Sequence, residues 1–275
     1  MKILTLAIEQ KIKSCIIEPL LQKDYISALQ NIAVIFDNLY AAIPDNKRIS
    51  NGRVYIIRIL SDHLLVQLKE IDAPLFDIAA SIFMISDDYK SQGVALALLS
   101  WYGLADYNKV IPYFELAAKS SNWDVREMSQ MFFKKLIKNH PNEMKDYLQQ
   151  LVKSENLNLR RFVAETLRPV QENKWFYGNP EYPLSILRNL FREDAAYPRT
   201  AVGNNLSDLA RRLPDLVYEL VQELVESGDK NSYWIAYRAC RNLVKKDPIK
   251  VMDLLKVDKY KYKNRIYQRS DYQRN

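Results

Sequence analysis

The chain has 275 residues, 48% of them hydrophobic, enough in length and content to bury one large domain or an extended repeat array. Its 6 glycines leave little scope for a loop-rich β fold or a glycine-lined phosphate site. A formal net charge of +7 favours nucleic acid or another anionic surface as partner.

From the start of the chain, residues 1–10 hold no long apolar core followed by a cleavage site. Nowhere is there an apolar run of the roughly 18 residues that a membrane span needs. A cytoplasmic protein with no membrane partner is therefore expected. Apolar residues then recur at helical spacing: Ile26, Leu29, Ile32, Ala33 and Phe36; Val54, Ile57, Leu60, Leu64 and Leu68; Ala95, Leu98, Leu99 and Tyr102. Turn-forming runs such as Asp72-Ala73-Pro74 and Ser120-Ser121-Asn122 separate them. No alternating run or hairpin dipeptide stands out, so the predicted fold is all-α. Cys15 and Cys240 lie far apart and read as buried small hydrophobes, and His63 and His140 have no metal-ligand spacing around them. No metal or cofactor is expected.

The second half repeats itself. Arg126, Arg160, Arg199 and Tyr233 start four units spaced 34, 39 and 34 residues apart. Seven positions on stand Phe133, Leu167, Leu206 and Cys240; fifteen positions on stand Pro141, Pro214 and Pro248, with Trp175 in place of proline in the second unit. Basic residues before each proline suit a helix C-terminus, and proline then prevents its continuation. Two helices per period in the thirties predict an α-α superhelix of HEAT-like repeats, a single domain over 1–256. Residues 257–275, rich in Lys, Arg, Tyr and Gln, read as a frayed helix or basic tail, either touching phosphates or simply solvated.

Within that register Glu127, Glu165 and Asp208 fall at steps of four, nearly on one face and broadly opposite the core stripe. Lys138, Arg161, Arg168, Arg211, Arg241 and Lys245 share the face. Stacked repeats would align these faces into one basic wall with acids embedded in it; the plainer alternative is a solvated face of mixed charge. Trp123 and Trp175 either stack on a ligand or pack in the core. Asn204 and Asn205 either read base edges or bridge helices.

Three pieces occur in order: R-R-F-V-A-E-T-L-R-P at residues 160–169 followed by Trp175, A-V-G-N-N-L-S-D at 201–208, and Y-W-I-A-Y-R-A-C-R-N-L-V-K-K at 233–246. Together they resemble the AlkC/AlkD superfamily of HEAT-like-repeat DNA glycosylases, nearer the AlkC side, over residues 122–255. The resemblance implies a right-handed arc whose basic concave groove grips double-stranded DNA, and hydrolysis of the N-glycosidic bond of alkylated bases such as 3-methyladenine. It implies catalytic carboxylates at Glu165, Asp208 and Glu127, and lesion-stacking rings at Trp175 and Trp123. Arg160, Arg161, Arg168, Lys138, Arg199, Arg211, Arg238, Arg241 and Lys245 are the expected DNA contacts. A cofactor-free monomer needing no obligate protein partner is expected. The run after Glu127, R-E-M-S-Q-M-F-F, departs from the family's R-P pattern. A non-catalytic DNA binder and a protein-binding HEAT scaffold are the alternatives.

Overall fold

A computed structural model of the chain describes residues 3–48 and 52–272; the first two residues of the N-terminal stretch and Arg274 of the basic tail lie outside them. The chain divides into two compact units, Met1–Asn139 and His140–Asn275.

The first unit holds α1 (Leu6–Ile12), α2 (Glu18–Leu21), α3 (Tyr25–Ala41), α4 (Gly52–Glu70), α5 (Leu75–Ile85), α6 (Tyr89–Tyr102), α7 (Tyr107–Lys119) and α8 (Trp123–Asn139). The three apolar stripes lie on α3, α4 and α6. On α3 the buried line is Ala28, Ile32, Ile35, Phe36 and Leu39, leaving Ile26 exposed. Helix α6 is apolar nearly all round because α4, α5 and α8 each pack on it. Aspartates start several helices by accepting a backbone N–H three residues on, as Asp24 does from Ser27 and Asp88 from Ser91.

The second unit holds α9 (Pro141–Leu151), α10 (Leu157–Thr166), α11 (Glu181–Leu187), α12 (Ala196–Leu209), α13 (Pro214–Glu226), α14 (Lys230–Ala239) and α15 (Pro248–Leu255). The predicted repeat register is met: Arg126, Arg160, Arg199 and Tyr233 are each the fourth residue of their helix. Pro141, Pro214 and Pro248 each open the following helix, where a missing N–H costs nothing. The arginine at the fourth position has a repeated local task. Its Nη1 donates to carbonyls of the connector just before the helix: Arg126 to Ser120, Arg160 to Ser154 and Arg199 to Asp194. Where the second repeat lacks its proline, a 3-10 stretch, Gln171–Tyr177, carries Trp175.

Helix α12 packs between α10 and α14. Small residues allow close approach, and asparagines tie adjacent helices: Asn205 donates to the Ala164 carbonyl and Asn242 to that of Ser207. Thus the helix-bridging role of Asn205 is the one realised.

The C-terminal segment departs from the frayed helix or free tail read from sequence. Residues Lys259–Tyr262 and Arg265–Gln268 form an antiparallel hairpin, β1 and β2, turning at Lys263 with φ 54°. Cross-strand partners Tyr260 and Tyr267 are both buried. Tyr260 stacks on Tyr237 of α14 at 4.4 Å and donates its hydroxyl to the Tyr237 carbonyl. A two-stranded hairpin is marginal by itself; these tyrosines replace the aliphatic core that the segment lacks. Apart from this hairpin the described residues are helical or irregular, and no helix among them is long and apolar enough to cross a membrane. Both cysteines are free thiols, Cys240 buried and Cys15 partly so.

Candidate functional site

Five side chains on α10, α12 and the turns that end them form an alternating line of charge. Arg161 and Glu165 are one helical turn apart on α10, with Arg161 Nη2 3.1 Å from Glu165 Oε1. Just past the helix end, Arg168 turns back and donates from Nη1 to Glu165 Oε2 at 3.0 Å. Its other edge reaches α12, Nη2 and Nε lying 2.6 and 2.9 Å from Asp208 Oδ2. Arg211, three residues beyond Asp208, closes the line at 3.2 Å from Oδ1. Arg168 therefore bridges carboxylates from successive repeats that are 43 positions apart in sequence.

The two acids are nearly sealed, Glu165 at 2% exposure and Asp208 at 3%, whereas the Arg211 side chain is 61% exposed. Here the structure corrects the expected outward face. Helices α10 and α12 are covered on more than one side, so the face opposite a helix's own apolar stripe meets neighbouring side chains. Burial opposes the charge of Arg168, but Glu165 and Asp208 outweigh it and push the guanidinium's pKa up. Three arginines against two carboxylates leave the line with a net positive charge. The Tyr177 hydroxyl donates to the Asp208 backbone carbonyl, and Arg161 lies 4.0 Å from the Tyr197 ring centroid.

The other predicted residues divide by position. Arg160 is held by Glu193, with Nε and Nη2 at 2.7 and 2.9 Å, and Arg199 donates to Asn231. Both cement one repeat to the next; Glu193 neutralises Arg160, whereas Asn231 leaves the charge of Arg199 in place. Trp175 is half-buried in an aromatic cluster, 4.5 Å from Phe176 and 5.0 Å from Tyr182 between ring centroids. In the first unit, Trp123 is 53% exposed, Lys138 is exposed, and Glu127 accepts from Gln130 at 2.9 Å.

Beyond Asp208 the cationic line continues. Arg238 Nε and Arg241 Nη2 converge on one atom, Asn204 Oδ1, at 2.9 and 2.5 Å. Burial first, and the neighbouring Arg241 second, pull the Arg238 pKa down. Lys245 is exposed and sits 5.7 Å from the Tyr262 ring centroid. Sequence reasoning missed Asn204 as the junction of two arginines and missed Tyr262. The first stood beside Asn205 in the N-N pair; the second was hidden in a segment taken for a tail.

The fold is similar to that of solved structures. AlkD2 from Streptococcus mutans matches with a TM-score of 0.56 at 21% identity, over 76% of this chain and 98% of that one. The protein smu.31 from Streptococcus mutans UA159 matches at 0.52 and 22%, over 69% and 98%. The Pseudomonas fluorescens alkylpurine DNA glycosylase AlkC, bound to DNA containing an abasic site analog, matches at 0.54 and 17%, over 90% of this chain and 64% of that one. These values do not separate an AlkD-like from an AlkC-like origin. No curated protein matches the chain. The family model described as DNA alkylation repair enzyme matches residues 65–243, more than half of the sequence and the whole of the α10–α12 site. The chain belongs to the DNA alkylation repair enzyme family.

Proposed function

We propose that this protein is a DNA glycosylase that hydrolyses the N-glycosidic bond of cationic alkylated bases, such as 3-methyladenine, in double-stranded DNA. The observation that carries the reading is the pairing of Glu165 and Asp208, from successive repeats, by a single arginine in a line of net positive charge. The DNA-bound state of AlkC, similar in fold, supports nucleic acid as the partner.

An alkylated base with a positive charge is already a good leaving group, so little acid catalysis is needed. Positive charge builds instead on the deoxyribose. A carboxylate near the sugar opposes that charge and orients water for attack. At 4 Å such a contact is worth about 4 kcal/mol near a protein surface, against about 1 kcal/mol in water. Arg161 and Arg168 fix the direction of the Glu165 carboxylate, and Arg168 that of Asp208. Arg168, Arg211, Arg238, Arg241 and Lys245 supply phosphate contacts.

The test is release of 3-methyladenine from methylated duplex DNA. Glu165→Gln and Asp208→Asn are each expected to slow release by about two to three orders of magnitude while retaining a cooperative thermal transition. Glu127→Gln is tested separately for a third contribution. A second reading, a non-catalytic DNA binder, is favoured by the near-complete burial of both acids. Wild-type protein that binds duplex but releases no base establishes that reading and ends the enzymatic one.

A further inference from the structure

Between α14 and the C-terminal hairpin lies a cleft of about 460 Å³ within the second unit. Trp234, Tyr237 and Tyr262 supply rings to it; Arg238, Arg241 and Lys263 supply cations; no acidic residue lines it. Among the described residues neither Arg238 nor Arg241 has a carboxylate partner, and both point at one neutral oxygen, Asn204 Oδ1. Two guanidiniums held side by side with no carboxylate in direct contact among the described residues form a ready anion site. Cations also gather at the hairpin ring: Arg241, Lys245 and Lys263 lie 5.5 to 5.7 Å from the Tyr262 centroid.

We propose that this cleft binds one unstacked nucleotide of a DNA single strand, its phosphate on Arg238 and Arg241 and its base against Tyr262 and Trp234. The proposal rests on the chain being a DNA-binding protein, not on base release. A paired base inside a duplex shows only its edges and phosphates, so aromatic faces gain nothing from it; an unstacked base offers its face. The cleft's size falls within the roughly 300–1,000 Å³ of pockets that hold one small ligand. A frayed end, a gap or a branch beside a lesion presents such a nucleotide. Burial first, and Arg241 second, lower the Arg238 pKa despite the charge of Glu165, and a bound phosphate would oppose both.

The experiment measures fluorescence anisotropy of a labelled oligothymidylate about sixteen nucleotides long, beside a fully paired duplex of the same length. Tyr262→Ala is expected to weaken single-strand binding roughly tenfold, a clearly larger loss than on duplex, with Tyr262→Phe close to wild type. Lys263→Glu, at the exposed turn, gives the same direction without touching the packed face of the hairpin. Equal loss on both DNAs, or wild-type single-strand affinity in both Tyr262→Ala and Lys263→Glu, overturns the proposal. Thymidine monophosphate should compete poorly with the strand; competition at equal nucleotide concentration makes this a mononucleotide site and overturns it too. An enzyme assay that fails for wild type leaves the strand measurement readable, so the two readings fall separately.

Discussion

At Arg168 one side chain bridges two acids that solvent barely reaches. Its Nη1 serves Glu165, while Nη2 and Nε serve Asp208, a division that the planar guanidinium fork permits. Removing one partner of a buried charge cluster costs more than the cluster contributes, because the remaining charges stay desolvated. Arg168→Met is therefore expected to lower unfolding stability by about 3 kcal/mol, measured by urea denaturation. Arg168→Lys should recover only part of this, since one ammonium cannot span both carboxylates with the same geometry. If Arg168→Met is as stable as wild type, the two acids are not held by this bridge. The bridge from Arg168 to Asp208 was absent from the sequence reading for a plain reason. Spacing showed Arg161, Glu165 and Arg168 near one another, but the reach of Arg168 to Asp208 depends on how α10 ends and where α12 is placed.

Among the elements, the repeats were legible because their signals are local. A proline at the first position of α9, α13 and α15, and an arginine at the fourth position of α8, α10 and α12, recur at fixed offsets in the sequence. The pairing of Glu165 with Asp208 followed from that register. Their burial did not, because an amphipathic stripe describes only one contact face, and α12 has neighbours on both sides. The hairpin stayed hidden because K-Y-K-Y spans four residues and its inward positions are tyrosines among lysines. Gly203 shows how tightly α12 and α14 meet. A Cβ there would lie 2.8 Å from Arg238 Cβ and 3.0 Å from Cγ and Cδ, near the root of the side chain where it cannot swing away. An overpacking cost of roughly 1–3 kcal/mol outweighs the ~1 kcal/mol by which alanine favours a helix over glycine. Gly203→Ala is expected to lower the denaturation midpoint; an unchanged midpoint shows that the two helices slide apart freely.

Across the whole molecule the charge of +7 is distributed unevenly in its availability. Arg160 is paired with Glu193, Arg188 with Glu223 and Arg269 with Asp253, so these cations are neutralised within the fold. Among the described residues Arg238, Arg241 and Lys245 have no carboxylate in ion-pair contact, and Arg211 shares Asp208 with Arg168 while most of its side chain stays in solvent. Binding that draws on such cations releases counterions from DNA, and affinity falls with a log–log slope of about −0.9 per phosphate neutralised. Four or more of these contacts predict a slope of about −3.6 or steeper for duplex, with little dependence on sequence, since cations bound to phosphate read no bases. Arg211→Gln and Lys245→Gln should each make the slope shallower by about one unit, whereas Arg188→Gln should leave it unchanged. A slope near zero, or an Arg188→Gln effect equal to that of Arg211→Gln, would place DNA away from the α10–α14 surface and with it remove the acids from reach of any base.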